Sequence, residues 1–265
     1  MPDRNLKVAL LPHAIITGDV HANLQAVEAM LPQVDTDTDL LVLPEMFNAG
    51  YTTDTDLLNS MAESNDGSTI KSVERWVEQY DFAIWGGFIA RDGNNIYNRG
   101  FMVNPGEETR FYDKRHLFRA GGEQMLFTQG MALPEVVEYR SWRLRMAICY
   151  DIRFPVWNRN TDLSYDALIV PANWAHSRVF AWRHMLIARA VENQAYVAGC
   201  NREGSDMFGD YPPGDSFIFN HWGDNIGERR DNGLVYATFD AERLKRDRER
   251  FSPWRDADDF QLIID

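Results

Sequence analysis

"MAICYDIRFP", residues 146–155, sets an apolar run directly against polar chemistry. Met146, Ala147 and Ile148 lead to Cys149, and Tyr150, Asp151 and Arg153 follow before Pro155 closes the stretch. A cysteine that only packs is usually flanked by more packing. Here it stands where a buried strand stops. α/β folds gather their ligands outside the carboxyl ends of strands. The stretch therefore predicts an α/β fold with Cys149 at a sheet edge.

The pattern on either side agrees. Residues 143–149 read as a strand, followed by strands at 167–170 and 196–200, with a helix over 178–192. Upstream, 6–11 and 40–43 are short apolar strands, and 22–31 and 69–80 carry apolar residues at helical spacing. Residues 82–90 and 97–103 pair across the turn "RDGNN", and 109–112 pairs back after "NPGEE". A long loop, 115–130, contains Gly121 and Gly122, and loops of such length are often functional. Strands at 216–219 and 234–239 precede a charged helix over 241–251. This alternation gives a layered α/β fold with mixed sheets. Periodicity leaves open whether there is one sheet or two. No linker or repeat divides the chain, so 1–265 reads as a single domain with 252–265 as a C-terminal tail.

Composition narrows the function. Of 265 residues, 45% are hydrophobic and 25% charged, the balance of a soluble globular protein. The net charge of −13 disfavours nucleic acid and anionic membrane surfaces as partners. The N-terminal apolar run 8–11 is too short for a signal peptide or a membrane span. Two cysteines cannot make a disulfide framework, so a reducing cytoplasm is the expected location. The six histidines show no metal-binding spacing, so no metal is expected.

Three short motifs carry the chemistry. "LVLPEMFNAGY" places Glu45 after a strand, "FYDKRHLF" places Lys114 after another, and "AICYD" places Cys149 after a third. Singly, each has a plain reading: a solvent-facing acid, a solvated charge run, an inert core thiol. Together they fit one reaction. A thiol nucleophile needs a base, and the oxyanion formed on attack needs positive charge or N–H donors. Glu and Lys supply both without histidine. Thiol-to-carboxylate proton transfer is uphill by about 4 units, or roughly 6 kcal/mol, at reference values. Burial raises the carboxyl and a nearby ammonium lowers the thiol. The site is therefore expected to be crowded and dry. A cysteine protease or thioesterase using Cys149, His116 and Asp151 is the rival arrangement.

In order along the chain, "LPEMFNAGY", "YNRGFMVNPGEETRFYDKRHLF", "AICYDIRFP", "VPANW", "ARAVENQAYVAGCNR" and "GDS" resemble the nitrilase superfamily of carbon–nitrogen hydrolases. "YDKRHLF" with "CYDIRFPVW" is most similar to its bacterial omega-amidase branch. The resemblance implies a four-layer α-β-β-α sandwich of two mixed sheets, and a homodimer or higher homo-oligomer. It implies hydrolysis of the terminal amide of small 2-oxo dicarboxylate monoamides through a cysteine thioester, with no cofactor. Other amides, nitriles and N-carbamoyl amines are alternative substrates within the superfamily, and an inactive scaffold is a remote one. By the same resemblance Cys149 is the nucleophile, Glu45 the base and then acid, and Lys114 the oxyanion stabiliser beside the Tyr150 backbone N–H. Glu123 is the supporting glutamate, with Glu108 a weaker candidate. Arg153 is expected to hold a substrate carboxylate or else to pair with Asp151, and Trp174, Phe47 and Tyr51 to wall the pocket. His221 stands where the family commonly has proline.

Overall fold

Short aliphatic and aromatic runs make the strands, and the alternation along them decides the layers. A computed structural model describes residues 1–264. In chain order the strands are β1 (Leu6–Leu10), β2 (Leu40–Val42), β3 (Ala83–Asp92), β4 (Asn95–Val103), β5 (Arg110–Asp113), β6 (Val136–Tyr139), β7 (Trp142–Met146), β8 (Ala167–Ala172), β9 (Tyr196–Asn201), β10 (Gly204–Asp206), β11 (Gly209–Tyr211), β12 (Phe217–Phe219), β13 (Glu228–Arg229) and β14 (Val235–Phe239). The helices are α1 (Val20–Met30), α2 (Thr55–Met61), α3 (Ser68–Tyr80), α4 (Val179–Asn193) and α5 (Ala241–Arg250).

Seven strands build one sheet in the order β13-β14-β1-β2-β3-β4-β5, and five build a second in the order β12-β9-β8-β7-β6. β10 and β11 form a separate hairpin. In each large sheet the central strands run parallel and the outer ones antiparallel. Successive side chains on a strand point to opposite faces. Val8, Leu10, Leu40, Val42 and Trp85 accordingly share a core with Leu144, Met146 and Ile169 of the second sheet. The intervening Ala9, Leu41 and Ile84 pack instead with Val27, Ile70, Val73 and Trp76 of α1 and α3. On the second sheet α4 lays down Trp182, Leu186 and Ala190. It lies so close that a Cβ at Gly199 would come within 2.7 Å of Leu186. The result is the expected α-β-β-α sandwich. Between the sheets a Cβ at Gly100 of β4 would run into the Met146 sulfur of β7.

Several boundaries differ from the sequence reading. The strand expected to reach Cys149 ends at Met146, and residues Cys149–Arg153 form a 3-10 turn. α2 escaped notice because it buries only Leu58 and Met61, too few to show a period. β6, with the strand-favouring sequence VVEY, lies outside the strands read from the sequence, and the β10–β11 hairpin lies in polar, glycine-containing segments that carry little strand signal. "RDGNN" is mostly strand, since Asp92 pairs directly with Asn95. His221 is buried and bonds Asp247 Oδ2 at 2.9 Å. In the tail, Leu262 and Ile264 pack against the chain's own core while Phe260 and Ile263 stay exposed. Among the described residues no helix is long and apolar enough to cross a membrane.

One buried ion cluster ties α5 to the second sheet. Arg248 bonds Asp166 at 2.6 Å and donates to the carbonyls of Gln194 and Tyr165. Arg143 forks onto the same carboxylate at 2.8 and 3.0 Å. Burial works against the Asp166 charge, but Arg143 and Arg248 outweigh it and hold the carboxyl below its ordinary value. That stabilisation is present above the unfolded carboxyl value of about 3.9 and is lost as pH falls through the folded one. Arg248→Met should destabilise the protein by about 3 kcal/mol at pH 7, measured by urea unfolding. The gap from wild type should narrow below about pH 4; a gap constant with pH would deny the cluster this role.

Candidate active site

The chain beyond β2 does not leave the sheet at once. Leu43 N–H donates to Trp85 O at 2.7 Å, and Phe47 N–H to Gly87 O at 3.0 Å. A Cβ at Gly87 would stand 3.3 Å from the Glu45 Cα, so this close passage needs the glycine. Glu45 is thereby pressed against β3, 1% exposed. Lys114, just past β5, donates its N–H to Asn98 O at 2.9 Å and accepts from Gly130 N–H at 3.0 Å. It too is 1% exposed.

The loop after Lys114 folds back as two 3-10 turns, Arg119–Gly121 and Glu123–Met125. Glu123 is buried there, with Oε2 accepting the Phe118 N–H at 2.6 Å. Lys114 Nζ then lies 2.7 Å from Glu45 Oε1 and 2.9 Å from Glu123 Oε1. Asn98 Nδ2 reaches the same two oxygens at 2.7 and 3.2 Å. Glu45 Oε2 enters no hydrogen bond among the described residues.

Cys149 approaches from the second sheet. Ala147 N–H still pairs with Ile169 O of β8 at 3.0 Å. The chain then turns sharply, with Cys149 at φ 45°, a left-handed conformation costly for a non-glycine residue. Asp151 secures the turn. Its fully buried carboxylate accepts from the Ile148 N–H, the Tyr112 hydroxyl and the His116 N–H, and Oδ1 lies 2.8 Å from His116 Nδ1. The turn is thus stitched to the loop that follows Lys114. The Tyr150 N–H is left without a partner among the described residues.

Glu45, Lys114, Glu123, Cys149 and Tyr150 line one cleft, about 550 Å³ including its solvent-filled mouth. Tyr51, Arg153 and Trp174 also line it. Arg153 pairs with no carboxylate among the described residues. Its guanidinium lies over the Trp174 ring at 5.0 Å and the Tyr150 ring at 5.7 Å. Asp151, its expected structural partner, is instead occupied by His116 and Tyr112. Phe47 is not in the cleft. It packs on Phe101 in the core under α1 and α3, because its side chain falls on the outer face of the first sheet. Glu108 is exposed beside its turn, away from the cleft. His116 does not line the cleft either; it stacks on Phe154 at 3.6 Å.

Asn98, Asn173, Phe118 and Arg178 also belong to the site's surroundings and were missed. Asn98 is a lone polar residue inside a strand, and only the β4–β5 register reveals its neighbours. Asn173 follows β8, lines the cleft, and has both side-chain amide atoms buried without partners. The sequence signal for it was the strand end in "VPANW", which had been read only for Trp174.

Burial dominates the electrostatics. It opposes the Lys114 ammonium, but Glu123 and Glu45 outweigh it and raise Lys114 well above its ordinary value. Burial raises Glu123, Lys114 partly offsets this, and Glu45 adds to the rise. Burial and Glu45 raise the Cys149 thiol well above normal, against the pull of Lys114. The ammonium therefore does not deliver the lowered thiol expected from sequence, and Cys149 rests protonated.

The carbon–nitrogen hydrolase family model matches residues 7–249. Omega-amidase YafV of Escherichia coli (strain K12) is 38% identical over 259 residues, 97% of this chain and 98% of that protein. The 2-oxoglutaramate amidase of Bacillus subtilis (strain 168) is 30% identical over 246 residues, covering 91% and 93%. The crystal structure of XC1258 from Xanthomonas campestris, a CN-hydrolase superfamily protein with an arsenic adduct in the active site, has a TM-score of 0.91 at 32% identity, covering 98% and 99%.

A protonated resting thiol has a direct consequence. At pH 7.5 iodoacetamide should modify Cys149 more slowly than a free thiol of pKa about 8.5, with the rate still climbing above pH 9. Peptide mapping identifies the site. Fast alkylation that is flat between pH 6 and 8 would mean a thiolate at rest.

Proposed function

The chain belongs to the carbon–nitrogen hydrolase family, and from that membership we propose that it is an omega-amidase. It removes ammonia from the terminal amide of small 2-oxo dicarboxylate monoamides such as 2-oxoglutaramate and 2-oxosuccinamate. The observation that carries the reading is Arg153. Its guanidinium faces the same cleft as Glu45, Lys114 and Cys149 and pairs with no carboxylate among the described residues. Guanidinium binds a carboxylate bidentately. A substrate with an amide at one end and a carboxylate at the other matches both ends of the cleft. Arg178, held over the Phe118 ring at 5.2 Å, adds positive charge to the same wall.

The mechanism follows from the charges. Because the thiol rests protonated, its proton leaves as sulfur attacks the amide carbonyl. Glu45 takes it on the oxygen that Lys114 and Asn98 leave free. The oxyanion forms beside the Tyr150 N–H and the Lys114 ammonium, donors fixed before the charge appears. Glu45 then protonates the departing nitrogen, the C–N bond breaks, and ammonia leaves behind a thioester. Water, losing its proton to Glu45, attacks the thioester carbonyl. The C–S bond breaks, the sulfur recovers a proton, and the acid departs. Glu123 keeps Lys114 charged and in place throughout.

We also infer one catalytic domain, acting in the cytoplasm as a homodimer. The two cysteines are free and buried, which suits a reducing compartment. Exposed Phe180 and Val191 on α4 lie on the outer layer, open to a second copy. Analytical ultracentrifugation should find a dimer that Phe180→Asp weakens; a wild-type monomer at micromolar concentration would exclude it.

Ammonia release should be followed from 2-oxoglutaramate, 2-oxosuccinamate, glutamine, a simple nitrile and an N-carbamoyl amino acid. The two oxo acids should be the best substrates; turnover of only the nitrile or carbamoyl compound would overturn the reading. Cys149→Ala should lose about 10⁴-fold or more in kcat. Arg153→Leu should raise KM for the oxo acids about 10- to 100-fold, with little effect on a neutral amide.

A further inference from the structure

Two buried carboxylates beside one ammonium leave an excess negative charge in a dry pocket. Such a pair tends to capture a proton, because like charges close together resist joint ionisation. The same repulsion pushes the two carboxylates apart unless a donor holds them. The structure contains a neutral group placed against this outcome. Asn98 is fully buried, and its Nδ2 donates to Glu45 Oε1 at 2.7 Å and Glu123 Oε1 at 3.2 Å. Its two amide hydrogens suffice for one carboxylate each.

The orientation of this amide is fixed by charge. Turning it over would aim Oδ1 at both carboxylates. In the observed orientation Oδ1 is buried and has no partner, a cost that the two donated bonds offset. The backbone holds the group in register, since Asn98 O accepts the Lys114 N–H. Lys114 and Asn98 therefore grip the same pair of oxygens from two neighbouring strands. Both tie down Oε1 of Glu45, and Oε2 is the oxygen left over.

We propose that Asn98 is a positioning residue that selects which oxygen of Glu45 is free and holds the Glu45 and Glu123 carboxylates together against their mutual repulsion. The inference rests on the reading of Glu45 as the base. The charged and titratable groups around Glu45 are Lys114 from the end of β5, Glu123 from the following loop, Cys149 from the second sheet and Tyr51 from the loop beyond Glu45 itself. None of them can replace the two hydrogen bonds of a neutral donor. Removing Asn98 takes that donor away, so Oε1 of Glu45 is held by Lys114 alone.

The test compares Asn98→Ala and Asn98→Asp with wild type and Glu45→Gln, using the amide turned over best. Asn98→Ala should lower kcat about 10- to 100-fold at pH 7 with KM within about twofold. Asn98→Asp should be worse than Asn98→Ala, because it sets a third carboxyl group against the other two. A packing role alone predicts the reverse order, since Asp matches Asn in shape and Ala leaves a void. A loss carried by KM rather than kcat, or Asp outperforming Ala, would overturn the proposal, and thermal unfolding of both variants identifies any loss due to misfolding. Glu45→Gln keeps the two readings apart. If it is inactive while the Asn98 variants keep the wild-type profile, only the role of Asn98 falls; if it is active, both fall.

Discussion

The Lys114 ammonium, held between the carboxylates of Glu45 and Glu123, is the interaction on which the rest of the structure depends. Each ion removed from water costs several kcal/mol even after relaxation. The attraction repays that cost only if geometry is close to ideal. No single loop can supply it, because Glu45 lies 69 residues from Lys114 in sequence and all three residues are buried. The sheet supplies it. Glu45 is fixed by pairing past the end of β2, Lys114 by its bond to Asn98 O, and Glu123 by its bond to the Phe118 N–H. Close passages at Gly87 and Gly130 hold these segments where a side chain would push them apart.

A second buried carboxylate does different work under similar conditions. Asp151 is as buried as Glu45, yet no lysine or arginine among the described residues bonds to it. Backbone N–H groups, a tyrosine hydroxyl and His116 satisfy it instead. It joins the Cys149 turn to the Lys114 loop and stabilises the left-handed backbone of the thiol residue. This separates the two acids physically. Glu45 has an oxygen that enters no hydrogen bond among the described residues and lines the same cleft as Cys149, whereas both oxygens of Asp151 are bound. It also removes His116 from contention as a base, since the ring is stacked on Phe154 outside the cleft.

The sequence made strand ends legible and strand interiors much less so. Glu45 and Lys114 could be placed because apolar runs stop beside them. Cys149 was placed at the sheet edge for the same reason, although the strand stops three residues earlier and the left-handed turn leaves no mark in composition. Phe47, two residues after Glu45, could be read from the sequence equally as a pocket wall or as a plain core aromatic, and it is core. The turn at Met46, with φ 46°, ended simple alternation there and sent the ring to the other face. Asn98 was invisible because its meaning comes from register. Inside "YNRGF" it is an ordinary polar residue until β5 lies beside it. Glu123 was placed by family resemblance; no periodic signal marks it.

The site is divided between the sheets. Glu45, Asn98 and Lys114 come from the first sheet, on or beyond β2, β4 and β5, and Glu123 from the loop that follows. Cys149, Arg153, Asn173 and Trp174 come from the second, beyond β7 and β8. Proton handling, on this reading, belongs to one sheet, while the nucleophile and the grip on substrate belong to the other. Their separation is set by core packing and, close to the site, by Gly100 of β4 seated against Met146 of β7. Gly100 lies two residues from Asn98, and Met146 three residues before Cys149. A methyl group at position 100 would touch no reacting atom. It would still force the Met146 side chain to repack at the junction of the two halves, and proton transfer over hydrogen-bond distance tolerates little displacement there. The sandwich is therefore part of the chemistry as well as its support.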